Sequence, residues 1–375
     1  MTSLDPSFEV DSDIRQARTL PASAFESLSV AERERQAIHQ KGFHLLPPHT
    51  VPVTPRSSHP TKLSAVPLVL TRSSDCTLRA LSNVCTHAWY PVATKPSSSK
   101  FLTCGQHGRR FDLEGTAISQ MGFDSSCGFP AAEDNLSAFS VQELGPLNFV
   151  GLGSEDTNAW RSFSAPWSDE LAHYPLNELH YAPRNGESRT LEGNWKQHAW
   201  NYLDSFHIPF IHRGPKGLVD AIDYKSYTTE IYPNAVLQWA WSKNPEYGLP
   251  SHYAPERLRH PEKRLFALWW FIWPNLTLNF YPWGLSVNRY GLSLDNPAEC
   301  EFEWYHYILD DELYEKADTI WLNDQVDQED VDAMALVREN IQSGCARRAR
   351  FSPSEEKAPH WFHHRVSQAL TQGTF

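Results

Sequence analysis

Cysteine and long apolar segments are both scarce in this 375-residue sequence. Six cysteines are too few for a disulfide scaffold in a chain of this length. No apolar run approaches the ~18 residues of a membrane-spanning helix, and the acidic, polar start of the chain lacks the pattern of a secretory signal. We therefore expect a cytoplasmic protein that has no membrane attachment.

Basic residues are fewer than acidic ones, 33 against 45, which gives a formal net charge of −12. Nucleic acid and acidic membrane surfaces would repel such a chain, so neither is an expected partner. The sequence has no glycine-rich nucleotide-binding motif and no flavin signature. If the chain performs redox chemistry, its electrons must therefore come from another polypeptide.

The composition, with 41 % hydrophobic and 21 % charged residues, is typical of a soluble globular protein with room for two domains. Residues 1–50 are interpreted as a helical segment that packs on the C-terminal domain, with a helix capped by Ser29 and Glu32. Residues 51–153 carry short strand-like segments and regular turn signals, which predict a small all-β domain. Residues 154–375 mix helical and strand patterns, which predicts an α+β domain with an antiparallel sheet.

Two cysteine–histidine pairs lie in the β-rich part: Cys85 with His87, and Cys104 with His107. Two thiolates and two imidazoles suit a [2Fe–2S] cluster in which the thiolates hold one iron and the imidazoles the other. A zinc site and a chance pattern are the alternatives, although structural zinc usually has two cysteines separated by two to four residues. The remaining cysteines have no partner pattern and are expected to be small buried side chains: Cys76, Cys127, Cys300 and Cys345.

A second candidate metal site is the D-x2-H-x4-H pattern of Asp204, His207 and His212. Pro209, between the histidines, places them near a helix end rather than along a helix face. Two histidines and one carboxylate form the facial triad that binds non-haem Fe(II) and leaves positions open for dioxygen. A histidine pair alone is also common in cores and on surfaces, so the pattern by itself leaves that interpretation open.

The third ligand must come from elsewhere in the chain. An acidic segment at residues 323–334 is the candidate source, although most acids in such a run form a solvated helix face. Its carboxylates are Asp324, Asp327, Glu329, Asp330 and Asp332.

From residue 83 to 115 the sequence resembles the Rieske domain of ring-hydroxylating oxygenases. It departs from that pattern at Ala88, where the family usually has arginine, and at Gln106, where it usually has an aromatic residue. Three other segments, NYLDSFHIPFIH, PNLTLNFYPWG and SPSEEKAPHWFHH, resemble members that act on choline, glycine betaine or carnitine-like amines. Trp200 is a further departure, because an acid commonly stands there.

The resemblance implies a fold, a set of cofactors and an assembly. The fold would be an N-terminal all-β Rieske domain followed by a helix-grip (START-like) antiparallel-sheet domain. His207, His212 and Asp330 would hold mononuclear Fe(II), Asp330 being chosen because it lies in a Gln-Glu-Asp-Val stretch. Asp204 would bridge a Rieske histidine of one subunit to the iron-ligand histidine of its neighbour, in a head-to-tail homotrimer.

Three functions follow as alternatives. The leading one is a terminal oxygenase that takes electrons from a separate NAD(P)H-dependent reductase, a ferredoxin being one option for the carrier, and uses O2 to hydroxylate a small substrate. The aromatic run from Trp269 to Trp283 could form a cage for a quaternary amine, could line a site for a flat aromatic ring, or could be core. The other two functions are an electron-transfer or binding protein with a vestigial iron site, and a zinc-stabilised module.

Overall fold

The computed structural model describes residues 8–123, 127–153, 157–183, 187–213, 217–321 and 323–373. Contacts divide the chain into two compact units, one made of residues 40–162 and the other of the residues before 40 and from 163 onward. Residues 8–39 therefore belong to the same unit as the C-terminal part. The domain boundaries at residues 50 and 153 stay a prediction.

Residues 40–162 form an antiparallel β unit. Seven strands pair in the order β1-β10-β9-β4-β3-β2-β5, and three more in the order β6-β7-β8. Alternating apolar residues of these strands fill two buried clusters, one of which includes Cys85 and Cys104. The strands are β1 (Gly42–Leu45), β2 (Ser57–Leu63), β3 (Val66–Arg72), β4 (Leu78–Ser82), β5 (Ser97–Ser98), β6 (Phe101–Thr103), β7 (Arg110–Asp112), β8 (Ala117–Ser119), β9 (Ala138–Leu144) and β10 (Leu147–Leu152).

The other unit is built on an eight-stranded antiparallel sheet. Its order is β11-β18-β17-β16-β15-β14-β13, and β12 also pairs with β18. Every residue of β15 is buried, as expected for a central strand covered on both faces. The strands are β11 (His180–Ala182), β12 (Ser188–Glu192), β13 (Ile222–Ile231), β14 (Ala235–Ser242), β15 (Leu265–Ile272), β16 (Leu276–Tyr281), β17 (Gly284–Leu292) and β18 (Glu299–Ile308).

Helices cover the sheet face that carries the candidate site. Trp195 of the third helix, Phe271 of β15 and Phe362 of the last helix share one buried cluster. Because side chains alternate along a strand, Trp269 lies on the same face as Phe271. The helices are α1 (Leu28–Glu34), α2 (Thr157–Ser168), α3 (Trp195–Leu203), α4 (Ile208–Ile211), α5 (Leu218–Ala221), α6 (Asp311–Trp321), α7 (Asn323–Gln342) and α8 (Lys357–Gln372).

The predicted α+β architecture is confirmed, with an all-β part ahead of a helix-covered antiparallel sheet. Two local predictions are wrong. The N-cap position of the first helix is Ser27 rather than Ser29, the Ser27 side chain makes no capping hydrogen bond, and Glu32 instead pairs with Arg35. Of the four cysteines outside the candidate cluster only Cys300 is buried, while Cys76, Cys127 and Cys345 are exposed. Among the described helices, none is long and apolar enough to cross a membrane.

Candidate metal sites

The two cysteine–histidine pairs lie in loops of the same geometry. In each loop the cysteine N–H donates to the carbonyl five residues later, at Tyr90 or Arg109, and the cysteine carbonyl accepts from the N–H four residues later, at Trp89 or Gly108. This fourth residue has a positive φ in both loops, 61° at Trp89 and 70° at Gly108. Glycine adopts that conformation freely, whereas tryptophan rarely does. The fold thus presents two equivalent turns, each bearing one cysteine and one histidine.

The four predicted cluster ligands come together as two pairs, the cysteines with each other and the histidines with each other. Cys85 and Cys104 are buried, and burial raises the pKa of the Cys85 thiol, which the neighbouring Cys104 thiol raises further. The rings of His87 and His107 meet edge to face, with their centroids 4.8 Å apart. Two adjoining thiols and two adjoining imidazoles match the ligand set of a Rieske cluster. Iron would hold the buried thiols as thiolates.

A buried arginine joins the two cluster loops, and the motif had not singled it out. Arg109 is 2 % exposed, pairs with Asp134 at 3.0 Å and donates to the Thr86 hydroxyl at 2.9 Å. It also donates to the side-chain oxygen of Gln120, whose amide nitrogen lies 2.8 Å from His87 Nδ1. These contacts hold the loop that carries His87 against Arg109, which directly precedes β7.

Local structure explains why His207 and His212 face the same point. His207 closes a short 3-10 turn, Ser205–His207, and His212 follows the single turn of α4. Pro209 is the second residue of α4, where the missing N–H costs no helical hydrogen bond. The prediction that the histidines lie at a helix end is confirmed.

Asp330 of α7 completes a group of three possible ligands. Its Oδ1 lies 3.4 Å from His207 Nε2 and 3.1 Å from His212 Nε2, and the two Nε2 atoms are 3.1 Å apart. An ion bound at ~2.1 Å with ligand angles near 90° requires donor atoms about 3.0 Å apart. The three side chains therefore fit the facial triad of one non-haem iron.

The charges of the triad depend on one another. Burial alone would lower the pKa of His207, but the carboxylates of Asp204 and Asp330 beside the ring outweigh it and raise the pKa to about 9. Burial alone would raise the pKa of Asp330, but the two imidazoles hold it well below its usual value. Since histidine binds metal as the neutral imidazole, a bound cation would take the place of the imidazole protons.

A second carboxylate on α7 holds one of the histidines. Glu329 Oε2 lies 2.8 Å from His212 Nδ1, and Gln325 donates to Glu329 Oε1 at 3.0 Å. A carboxylate on Nδ1 fixes the ring orientation and leaves Nε2 free to bind metal. The sequence names Glu329 only as one of five candidate ligands, so its contact with His212 Nδ1 is a finding of the structure.

Glu329→Ala is expected to lower the affinity for the mononuclear iron by about 10- to 100-fold, because His212 loses the acceptor that orients it. Competition with a ferrous chelator measures the affinity, and the EPR signal of the reduced cluster reports on the other centre. Glu339→Ala is the matched control, an exposed glutamate on the same helix. Equal iron affinity in the two variants would contradict this role.

Asp204 lies at the surface edge of the triad. Its Oδ1 accepts from the Phe206 N–H at 2.8 Å, and its Oδ2 is 3.6 Å from His207 Nδ1. Among the described residues His207 Nδ1 has no hydrogen-bond partner, although it is buried. The Asp204 side chain remains 20 % exposed, so the carboxylate faces both His207 and the outside.

Trp200 takes no part in the triad. Its ring contacts His363 edge to face at 4.6 Å, and His363 is fully buried. The departure from the family pattern at this position therefore concerns the packing of α3 on α8.

The triad opens into a cavity of about 460 Å³. The floor is the sheet face that carries Gln238, Trp269 and Asn279, and ring faces line much of the remainder. Tyr227 stacks on Trp269 with centroids 5.7 Å apart. The other aromatic lining residues are Tyr202, Phe266, Tyr281, Trp283, Tyr290, Phe302, Trp304 and Tyr314.

Comparison with known proteins gives two family matches. The model described as the ring hydroxylating alpha subunit (catalytic domain) matches residues 173–372, and the Rieske [2Fe-2S] domain model matches residues 44–125. The first match spans more than half of the chain and includes all three triad residues. The second includes both cysteine–histidine pairs.

Relatives and solved structures agree with these matches. Choline monooxygenase of Amaranthus tricolor is 26% identical over 94% of this chain and 78% of its own. The carnitine monooxygenase oxygenase subunit of Escherichia coli is 22% identical over 92% of this chain and 90% of its own. A quaternary ammonium Rieske monooxygenase superimposes with a TM-score of 0.78, 18% identity and coverage of 98% and 100%. Naphthalene 1,2-dioxygenase of Rhodococcus follows with a TM-score of 0.73, 15% identity and coverage of 94% for both chains.

Proposed function

The chain belongs to the family of ring-hydroxylating oxygenase alpha subunits, and from this premise we propose that it hydroxylates a quaternary amine. It is a terminal oxygenase with a Rieske [2Fe–2S] domain and a mononuclear iron domain. The observation that carries the proposed substrate is the cavity beside His207, His212 and Asp330, which is lined by ring faces and carboxylates. These three residues are the proposed iron ligands, and Cys85, His87, Cys104 and His107 are the proposed cluster ligands.

The lining of the cavity favours a cation. Aromatic faces attract a quaternary ammonium through the ring quadrupole. Outside the triad, among the lining residues that the structure describes, Asp204 and Asp327 carry negative charge, and Arg189 carries positive charge. The Arg189 guanidinium is already over the ring of Trp304, at 5.4 Å from its centroid. The relatives named for choline and carnitine act on such cations, which supports the same substrate class here.

The proposed reaction inserts one oxygen atom into a C–H bond of an N-methyl group or a neighbouring carbon. The other oxygen atom leaves as water, which consumes two electrons and two protons. When bound, the cluster supplies single electrons and the ferrous ion supplies activation of dioxygen. The protein's own part is to hold the ammonium among the ring faces, to keep the triad histidines neutral and oriented, and to limit water in the cavity. An N-hydroxymethyl product then loses formaldehyde.

We also propose that the electrons reach the iron from a neighbouring copy of the chain, by way of Asp204. The side chains beside Asp204 are apolar and exposed, Phe206 by 42 % and Phe210 by 59 %. The cluster loop also exposes an apolar side chain, Trp89, by 83 %. Contact between these surfaces in two copies would cover both, and a head-to-tail ring such as a homotrimer would repeat the contact. A separate reductase reduces the cluster.

Turnover with a surrogate reductase tests the substrate class. The purified protein, NAD(P)H and a broad-specificity reductase should oxidise trimethylammonium compounds and release formaldehyde or another aldehyde in step with O2 consumption. Aromatic acids of similar size, offered in the same assay, should give no hydroxylated product. Hydroxylation of the aromatic acids alone would overturn the quaternary-amine proposal. One cluster per chain and no additional iron at the triad, under iron-replete conditions, would favour an electron-transfer or binding role.

A further inference from the structure

A buried acceptor on the cavity floor has no partner within the protein. Gln238 of β14 is 1 % exposed, and its amide nitrogen donates to the Tyr202 carbonyl at 3.0 Å. A carbonyl can only accept, so this bond decides the orientation of the amide and turns Oε1 away from Tyr202. Among the described residues nothing donates to Oε1, although the side chain lines the cavity.

An unpaired acceptor in such a place is costly unless a ligand donates to it. A quaternary ammonium has no N–H and a carboxylate has no proton to give, so neither group satisfies Gln238 Oε1. A hydroxyl does. The need for a donor therefore divides the quaternary amines into those that carry an alcohol and those that do not.

The surroundings of Gln238 suit a polar end of the substrate. Gln238 pairs with Trp269, Trp269 with Asn279, and Asn279 with Ser286, so these side chains form a row on one sheet face. Asn279 Oδ1 is already occupied by the Tyr202 hydroxyl at 2.6 Å. In this row Gln238 Oε1 is the buried side-chain acceptor to which none of the described residues donates a hydrogen bond.

We propose that Gln238 selects a quaternary amine bearing a hydroxyl group, by accepting a hydrogen bond from that hydroxyl. This inference rests on the proposed function and adds a specificity-determining residue to it. Tyr202, which orients the amide, stands on α3 two residues before Asp204. Helix α3 therefore orients the amide that would accept from the substrate hydroxyl, and it leads directly into the segment that carries His207 and His212.

The wild-type protein tests the ligand side of the proposal. Choline, its methyl ether and ethyltrimethylammonium share the cation, but only choline has a donor. We expect kcat/KM for choline to exceed that for either analogue by at least about tenfold, with a matching difference in Kd measured anaerobically. Glycine betaine, with a carboxylate in place of the alcohol, should behave like the analogues. Equal use of choline and its methyl ether would overturn the role of Gln238 while leaving the quaternary-amine function intact.

Gln238→Met tests the residue itself. The ratio of kcat/KM for choline to that for its methyl ether should fall toward one, because methionine accepts only weakly. Both substrates are measured on the same preparation, so partial loss of folded protein cancels in the ratio. Gln16→Met, at an exposed position, should keep the wild-type ratio. An unchanged ratio in Gln238→Met would overturn the proposal, and failure of every quaternary amine to bind would remove the proposed function with it.

Discussion

Asp330→Ala is expected to remove the mononuclear iron and to reduce turnover by more than about 100-fold. Loss of a residue that only hydrogen-bonds to a metal ligand lowers metal affinity or activity by up to about 100-fold, and loss of the ligand itself should cost more. Asp330 Oδ1 is the carboxylate oxygen that faces both Nε2 atoms, at 3.4 Å and 3.1 Å. Without it, two imidazoles remain, and the facial triad loses its anionic ligand. Iron content should fall from about three atoms per chain to about two, since the cluster holds two and the triad one.

The cluster provides an internal reference for this variant. Its reduced Rieske EPR signal and its absorption should match those of the wild type, because the cluster ligands belong to the other unit of the chain. Asp332→Ala is the matched control, the same substitution at an exposed aspartate on the same helix, and should retain all of the iron. Retention of the third iron in Asp330→Ala would mean that another residue is the ligand.

The four candidate cluster residues could be identified from the sequence because the spacing of each cysteine and its histidine is short and characteristic. Cys85 and His87 share one turn, as do Cys104 and His107, so two short motifs carry the whole proposed ligand set. The support beneath them was not predictable. Arg109 reaches Gln120 and Asp134, and such contacts depend on how separate strands pack.

The mononuclear site was only partly predictable. The spacing of His207 and His212 indicates a metal weakly, and the choice of Asp330 depended on resemblance rather than on spacing. Sequence alone could not separate Asp330 from Glu329, because neighbouring helical residues point about 100° apart and the orientation of the helix decides which faces the histidines. In the structure both carboxylates contact His212, Asp330 at Nε2 and Glu329 at Nδ1.

Residues whose role depends only on tertiary contacts could not be identified from the sequence. Gln238 lies in an apolar strand, where a single glutamine predicts only a break in the pattern. The cap of the first helix shows the same limit, since Ser27 and Ser29 are both suitable caps and their side chains lie 2.9 Å apart. The three exposed cysteines show that a residue preference does not determine burial at one position.

Asp204→Asn is expected to lower turnover by about 100-fold or more while leaving both metal centres occupied. The carboxylate lies 3.6 Å from His207 Nδ1 and caps the Phe206 N–H, which asparagine can also cap. The substitution therefore removes charge with little change in shape. Reduction of the cluster by the reductase should proceed at the wild-type rate, whereas single-turnover oxidation of the cluster in the presence of substrate and O2 should be slow. Fast oxidation of the cluster would contradict a role for Asp204 in the electron path.

Mixed assemblies separate transfer between copies from transfer within one chain. A Cys104→Ser chain lacks a working cluster but keeps Asp204 and its iron, while the Asp204→Asn chain keeps its cluster. If electrons pass from the cluster of one copy to the Asp204 side of the next, co-expressing the two inactive variants should restore a measurable fraction of activity, because each mixed ring contains a competent pair. If electrons remained within a chain, neither variant could supply what the other lacks, and the mixture would be as inactive as its parts.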